Sequence, residues 1–457
     1  MSKVNNHPLQ KATMQVEIIH PHAAGIDVGS RSHYVATGQS KEDVKKFGVC
    51  TDDLHQLCKY LQQQDITTVA LESTGSYWQP LFVLLQQYEL NPVLVNGKYT
   101  KNAAGRKTDV QDCQHIQKMH SLGMLEGSFI PDLFTETVRQ YYRHRQTLVE
   151  GAARYINKMQ KALRMTNIRL DAVLRDIMGR SGKDIVEAIL AGERNPRALA
   201  LLVQPSVKAT TQEIEKALSG DWREEYLFEL RHCYELYKYY HQKIDECDKA
   251  IETLLNQEIQ KQQQQPAYTA PPKVKIKKKK ERKNEASIDL QKKAFELSGG
   301  IDLSQIDGLG LGFLLCLISE TGLNLSSFPT GKQFSSWLQV APNVKKTGDK
   351  VKSSKTPKGK NRLAHAFMHA ANSIGNKKNG DYLTHFFKLI CYKKGRPAAI
   401  VATARKLAVI VWNMLVKKQP YQPQPTAQYL DYMRKKQIKN VKSKIRQLGI
   451  TPDELAA

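Results

Sequence analysis

Seven cysteines in 457 residues, with no Cys-x-x-Cys pair and no His/Cys grouping at zinc spacing, exclude a disulfide scaffold and a structural zinc site and fit a reducing cytoplasm. Acidic residues are also scarce, 44 Asp plus Glu against 69 Lys plus Arg, a formal charge of +25. A chain with that much self-repulsion calls for a polyanionic partner, and nucleic acid is the commonest. No apolar core follows the N-terminus, and the most apolar stretch, 398–416, is broken by Arg405 and Lys406. The expectation is a protein of the cytoplasm, neither secreted nor membrane-associated. What the chain has in quantity is length and 41% hydrophobic residues, enough for two or three domains of roughly 100–200 residues.

From 20 to 131, short β-rich runs alternate with helical patterns, the sign of an α/β domain. Strands are expected over 24–28, 33–37, 45–49, 67–72 and 92–96, and helices over 53–63, 77–88 and 109–122. Three strands followed by strand–helix units is the order of an RNase H-like fold. Over 132–257, apolar residues recur at helical spacing in two long runs, expected to form a coiled-coil arm or helical hairpin. The stretch 258–294 has a Gln run, Pro271-Pro272 and the basic run 273–283, and is expected to be a disordered basic linker. A mostly helical domain is expected over 295–418. Within it Ile306-Asp307-Gly308-Leu309-Gly310 resembles a helix-hairpin-helix turn, either a phosphate contact or a tight interhelical turn. The tail, 419–457, carries a basic amphipathic helix suited to phosphate contact.

Four acids stand out in the first domain. Asp27 lies in the apolar strand Ala24-Gly25-Ile26-Asp27-Val28-Gly29, and Glu72 ends the apolar strand Val69-Ala70-Leu71-Glu72. Asp109 and Asp112 sit three apart, on one face of the first helical turn. Each singly is explained as a turn or cap residue. Together, on two strand ends and one helix of an RNase H-like order, they would converge at the sheet edge. Oxygen ligands of that kind take one or two Mg2+ ions, the chemistry of phosphodiester cleavage.

These segments, with Leu71-Glu72-Ser73-Thr74-Gly75, Gly105-Arg106-Lys107-Thr108-Asp109-Val110-Gln111-Asp112 and Ser128-Phe129-Ile130-Pro131, resemble the N-terminal DEDD, RuvC-like domain of the IS-one-ten (IS110) family of insertion-sequence transposases, relatives of the Piv invertase. The C-terminal half continues the resemblance through Trp337-Leu338, Ala341-Pro342, Ser353-Ser354-Lys355-Thr356, Asn361-Arg362 and Ala402-Thr403-Ala404-Arg405-Lys406-Leu407-Ala408. The resemblance implies a helical C-terminal transposase domain and a recombinase that excises and inserts its own element. It further implies a noncoding bridge RNA that pairs with donor and target DNA, a dimer of dimers, and Mg2+ on Asp27, Glu72, Asp109 and Asp112. A C-terminal serine would form a covalent link to DNA in a site shared between protomers.

At the position of that serine, five residues after Pro342, this chain has Thr347. Either Thr347 is the nucleophile, or a shifted Ser353 or Ser354 is, or this copy is impaired. Lys345, Lys346, Lys350, Lys352, Lys355, Lys358, Lys360 and Arg362 surround it, and with Lys107 they are the candidate nucleic-acid contacts. Two other readings compete. Gly25-Ile26-Asp27-Val28-Gly29-Ser30 also resembles the phosphate loop of actin-like ATPases and sugar kinases, but no second such loop follows; the remaining alternative is a nucleic-acid-binding protein without catalysis.

Overall fold

The computed structural model describes residues 17–97, 108–266, 268–272, 282–357, 359 and 361–449, which fall into two compact units, Met1–Ile130 and Pro131–Ala457. In the first, strands β1 (Ala23–Val28), β2 (His33–Ala36), β3 (Val44–Phe47), β4 (Thr68–Glu72) and β5 (Pro92–Val95) form one sheet in the order β3-β2-β1-β4-β5. The first three strands are antiparallel, whereas β4 runs parallel to β1 and β5 parallel to β4. The strands were expected at these places to within two residues at either end.

Alternation along β1 sets the two faces of this sheet. Ala24, Ile26 and Val28 pack into a core with Val35 and Leu71. Helices α1 (Thr51–Gln63) and α2 (Trp78–Gln87) cover that core. In α1, Leu54, Leu57, Cys58 and Leu61 recur at helical spacing and are buried, and α2 contributes Leu81, Phe82 and Leu85.

The other face carries helix α3 (Asp109–Ser121), and Gly25 is why it lies so close. A Cβ at position 25 would stand 2.2 Å from the Gln117 backbone nitrogen and 2.6 Å from the Cys113 carbonyl oxygen. Gln117 completes the docking by donating from Nε2 to the Ala23 carbonyl at 3.2 Å. Because backbone, not a flexible side-chain end, meets the added methyl, Gly25→Ala should destabilise this unit by about 1–3 kcal/mol or more. Thermal unfolding of the variant checks this; an unchanged midpoint would show that α3 can lift off the sheet at no cost.

The second unit is largely helical. Helix α4 (Leu133–Met165) and the later α9 (Glu224–Gln263) pack along each other. Between them in sequence come the short α5 (Leu170–Val173), α6 (Arg180–Leu190), α7 (Pro196–Ala200) and α8 (Thr211–Leu218). Met159, Leu163, Ile185, Ile189, Leu230 and Tyr234 fill this core, and Gly151 lets α4 approach the Tyr240 ring. After it come α10 (Leu290–Leu297), α11 (Leu311–Thr321), α12 (Gly331–Trp337), a hairpin of β6 (Lys345–Thr347) and β7 (Lys350–Ser353), α13 (Arg362–Gly375), α14 (Tyr382–Lys394), α15 (Arg396–Lys417) and α16 (Thr426–Leu448). Among the described residues α15 is the one helix long and apolar enough to cross a membrane; here Leu407, Ala408 and Val411 are buried in the unit's core.

The linker expected over 258–294 is ordered at both ends. Helix α9 continues to Gln263, and the return of the chain from residue 282 is held by a buried polar node. Arg145, 2% exposed, forks onto Asp248 and donates to the Asn284 carbonyl at 3.1 Å, while Asp248 accepts from the Ser287 amide at 3.3 Å. Ala286 and Ile288 are buried beside it. Composition alone misses this because the attachment joins charge-assisted hydrogen bonds to a few buried apolar residues, too few to stand out in a basic, Gln-rich stretch. The stretch 273–281 lies outside the described residues.

Candidate active site

Strand register builds the acidic part of the site. β1 and β4 pair through Ile26 and Leu71, so the next positions, Asp27 and Glu72, are neighbours at the ends of adjacent parallel strands. Asp27 lies two residues beyond Gly25 and therefore on the face that α3 covers. Helix α3 starts behind Thr108, whose Oγ1 accepts from the Gln111 amide at 3.3 Å, and has Asp109 and Asp112 in its first turn, at the positive end of the helix dipole.

Cys113 reports which acids come together. Its thiol is pushed up to about 12, first by burial, then by the negative charge of Asp27, with a smaller contribution from Asp112. Both carboxylates thus act on one buried sulfur. Glu72 turns its carboxylate toward the backbone at Gly97, where a Cβ would collide with it. Asp27, Glu72 and Asp112 are half-buried and Asp109 is exposed. Among the described residues no three His, Cys, Asp or Glu side chains stand together where they could hold a metal ion, so the four acids do not form the single cluster expected of them; the register makes Asp27 and Glu72 neighbours, and Asp109 and Asp112 share the first turn of α3. Their chemistry, carboxylate oxygens at a sheet edge beside a helix N-terminus, fits a hard divalent cation. Lys107 lies outside the described residues.

Three residues of this region escaped the sequence reading. Gly25 and Gln117 dock α3, as described, and His120 anchors its far end, with Nε2 2.9 Å from Thr68 Oγ1. Burial first, and then the charge of His20, drives the His120 imidazole down to about 4. The folded chain therefore stays unprotonated there while an unfolded His takes up a proton near its ordinary value of about 6.5. Stability from this group is complete above about pH 6.5 and is lost progressively as pH falls toward 4. Unfolding measured across that window should show the loss in the native chain and a flatter profile in His120→Gln; parallel profiles would contradict it.

In the second unit, Thr347 ends β6 and is registered with Lys350 across a two-residue turn in which Gly348 adopts φ +55°. It is exposed at the hairpin tip, and Lys345, Lys346, Lys350 and Lys352 are exposed on the same hairpin; Lys355 and Arg362 are exposed further along the chain, Arg362 in the first turn of α13. Lys358 and Lys360 lie outside the described residues. Ser353 stands at the base of the hairpin, opposite Lys345, and its Oγ accepts from the Lys355 amide at 3.3 Å. Ser354 is exposed beyond the strand.

At the turn that resembles helix-hairpin-helix, Gly308, at φ +85°, lets the backbone pack against the Ala370 carbonyl, which a Cβ would meet at 2.7 Å. The first turn of α11 already holds an anion of the chain's own: Glu285 Oε1 accepts from the Gly312 amide at 3.3 Å. In this arrangement the turn serves interhelical packing and its helix N-terminus is capped by a carboxylate.

Comparison with known proteins joins the two halves. Residues 24–168 match the family model DEDD_Tnp_IS110, described as a transposase. Residues 302–386 match the model described as Transposase IS116/IS110/IS902 family. No curated protein matches the chain.

Proposed function

Since the chain belongs to the IS116/IS110/IS902 family of transposases, we propose that it excises and inserts a mobile DNA element with Asp27, Glu72, Asp109 and Asp112 as Mg2+ ligands and Thr347 as nucleophile. The observation that carries this reading is the register that sets Asp27 and Glu72 one position beyond the Ile26–Leu71 pair on adjacent parallel strands, with α3, which carries Asp109 and Asp112, packed against β1 at Gly25. The sheet order, three antiparallel strands and two parallel ones, supports an RNase H-like, RuvC-like domain around them. Mg2+ held there would neutralise charge on the scissile phosphate. The exposed Lys345, Lys346, Lys350 and Lys352 hold neighbouring phosphates and keep the DNA backbone at the hairpin.

In the covalent step the Thr347 Oγ–P bond forms as the bond from phosphorus to the leaving deoxyribose oxygen breaks, and the hydroxyl proton ends on that oxygen. The reverse exchange, with a hydroxyl of the new strand attacking the phosphothreonine, restores Thr347 and rejoins DNA. Because each step trades one phosphodiester for another, no nucleotide cofactor is required. A noncoding bridge RNA is the proposed guide and a dimer of dimers the proposed assembly, acting in the cytoplasm; the net charge of +25 suits a complex carrying both RNA and DNA.

The test is incubation of the purified chain with element-end DNA and Mg2+, with and without RNA transcribed from the element's noncoding flank. A protein–DNA adduct that needs both is the expected result. An adduct without the RNA would overturn guidance, and nicked DNA without adduct would overturn the covalent route in favour of hydrolysis.

A further inference from the structure

The last described helix, α16 (Thr426–Leu448), is attached to its unit at one point. Tyr429, 7% exposed, is its only buried residue. The Tyr429 ring meets Tyr382 edge-on at 6.0 Å, and the Lys406 ammonium lies over both rings, 4.6 Å from Tyr382 and 5.6 Å from Tyr429. This aromatic and cation–π latch fixes the root of the helix, and beyond it the helix is exposed apart from the half-buried Met433 and Ile445.

At 100° per residue, Lys435, Lys436, Lys439, Lys442 and Arg446 fall on one face of α16. Lys435 and Lys439, and Lys442 and Arg446, are four apart; Lys436 and Lys439, and Lys439 and Lys442, are three apart. Each such like-charged pair costs an isolated helix about 0.2–0.5 kcal/mol. Among the described residues one ion pair relieves them, Lys435 with Asp431 at 2.8 Å. This face is therefore left with positive charge that a row of negative charges outside the chain would offset.

We propose that α16 docks along the major groove of duplex DNA with its Lys435–Arg446 face against the phosphate backbone, held in place by the Tyr429 latch. Helix dimensions support DNA: with side chains an α-helix is about 10–12 Å across, which the B-DNA major groove admits at about 12 Å and the deep, narrow major groove of an RNA duplex does not. A lipid surface fits less well. The opposite stripe of Leu430, Ile438, Val441 and Leu448 has Arg434 at its centre, a charge that burial among acyl chains penalises. The inference rests on the chain acting on DNA, but on none of the acids or hydroxyls assigned above, so it is tested by binding alone.

The experiment compares the full chain with K435Q/K436Q/K439Q/K442Q/R446Q for affinity toward a mixed-sequence DNA duplex over a salt series, without Mg2+. Far-UV circular dichroism confirms that the variant is folded. Loss of five phosphate contacts should lower the log–log salt slope by about 4–5. Tyr429→Ala, which keeps every charge but frees the root, should weaken binding with the slope retained. The same comparison is run with an RNA duplex of equal length and with phosphatidylserine–phosphatidylcholine vesicles. An unchanged slope on DNA would overturn the proposal, as would a loss confined to RNA or to vesicles. Failure of the unaltered chain to bind any DNA would overturn this proposal alone, because the proposed function is judged separately by the RNA-dependent adduct.

Discussion

Asp27→Asn is expected to abolish adduct formation and strand exchange while DNA binding survives. The substitution keeps size and shape and removes one negative charge from a site whose function requires several. Its cost should exceed the roughly 10–100-fold penalty of losing an outer partner of a metal site, because a proposed ligand itself is lost. Asp112→Asn should behave alike, since both carboxylates act on the same buried thiol. That thiol provides a second readout independent of catalysis. With Asp27 uncharged, Cys113 should titrate lower than about 12, because one of the two negative charges holding its proton is gone. A lowered thiol pKa together with lost activity would place Asp27 where the register puts it and give it the proposed role. A wild-type rate in Asp112→Asn would remove that residue from the site, and an unmoved thiol in Asp27→Asn would remove Asp27 from the neighbourhood of Cys113.

Where structure was legible in the sequence, the information was local. β1 was expected over 24–28 and spans Ala23–Val28, and α3 was expected over 109–122 and spans Asp109–Ser121. Alternating apolar residues and the acidic first turn each act within a few positions. The order of three strands followed by strand–helix units was also local information; the structure makes the first three antiparallel and the later two parallel, as short connections favour hairpins and helical crossovers favour parallel pairing. What escaped joins residues far apart in the chain. Gly25 was read as a neighbour of an acid, yet its missing side chain is what lets α3 reach the sheet, a contact across about ninety residues that no periodicity encodes. Arg145 with Asp248, and Glu285 with Gly312, are polar contacts of the same kind, visible only once the helices are in place. The turn 306–310 was the instructive case. Glycine spacing left phosphate contact and tight packing equally open, and the packing of Gly308 on the Ala370 carbonyl, with Glu285 on the adjacent helix N-terminus, favours packing.

Thr347→Val should eliminate the covalent adduct, and Thr347→Ser should retain or raise it. Both follow from the position of Thr347 at the exposed tip of the β6–β7 hairpin, where a phosphate can approach without disturbing any core. Valine has nearly the shape of threonine and is at least as favourable in a strand, so the hairpin and its lysines should keep their places; only the hydroxyl that forms the bond to phosphorus disappears. Serine keeps the hydroxyl and removes the methyl that restricts χ1 and crowds the approaching phosphate. The flanking Lys346 and Lys350 should stabilise charge developing on the phosphate equally in all three chains, so differences between them report the nucleophile itself. Mapping the DNA-linked peptide discriminates the remaining hydroxyls. Ser353 already accepts the Lys355 amide at the hairpin base, which leaves it further from the tip and partly engaged, and Ser354 lies one residue beyond it. A crosslink on either serine, or full activity in Thr347→Val, would move the reaction from the tip to the base of the hairpin and require the DNA to reach past the turn.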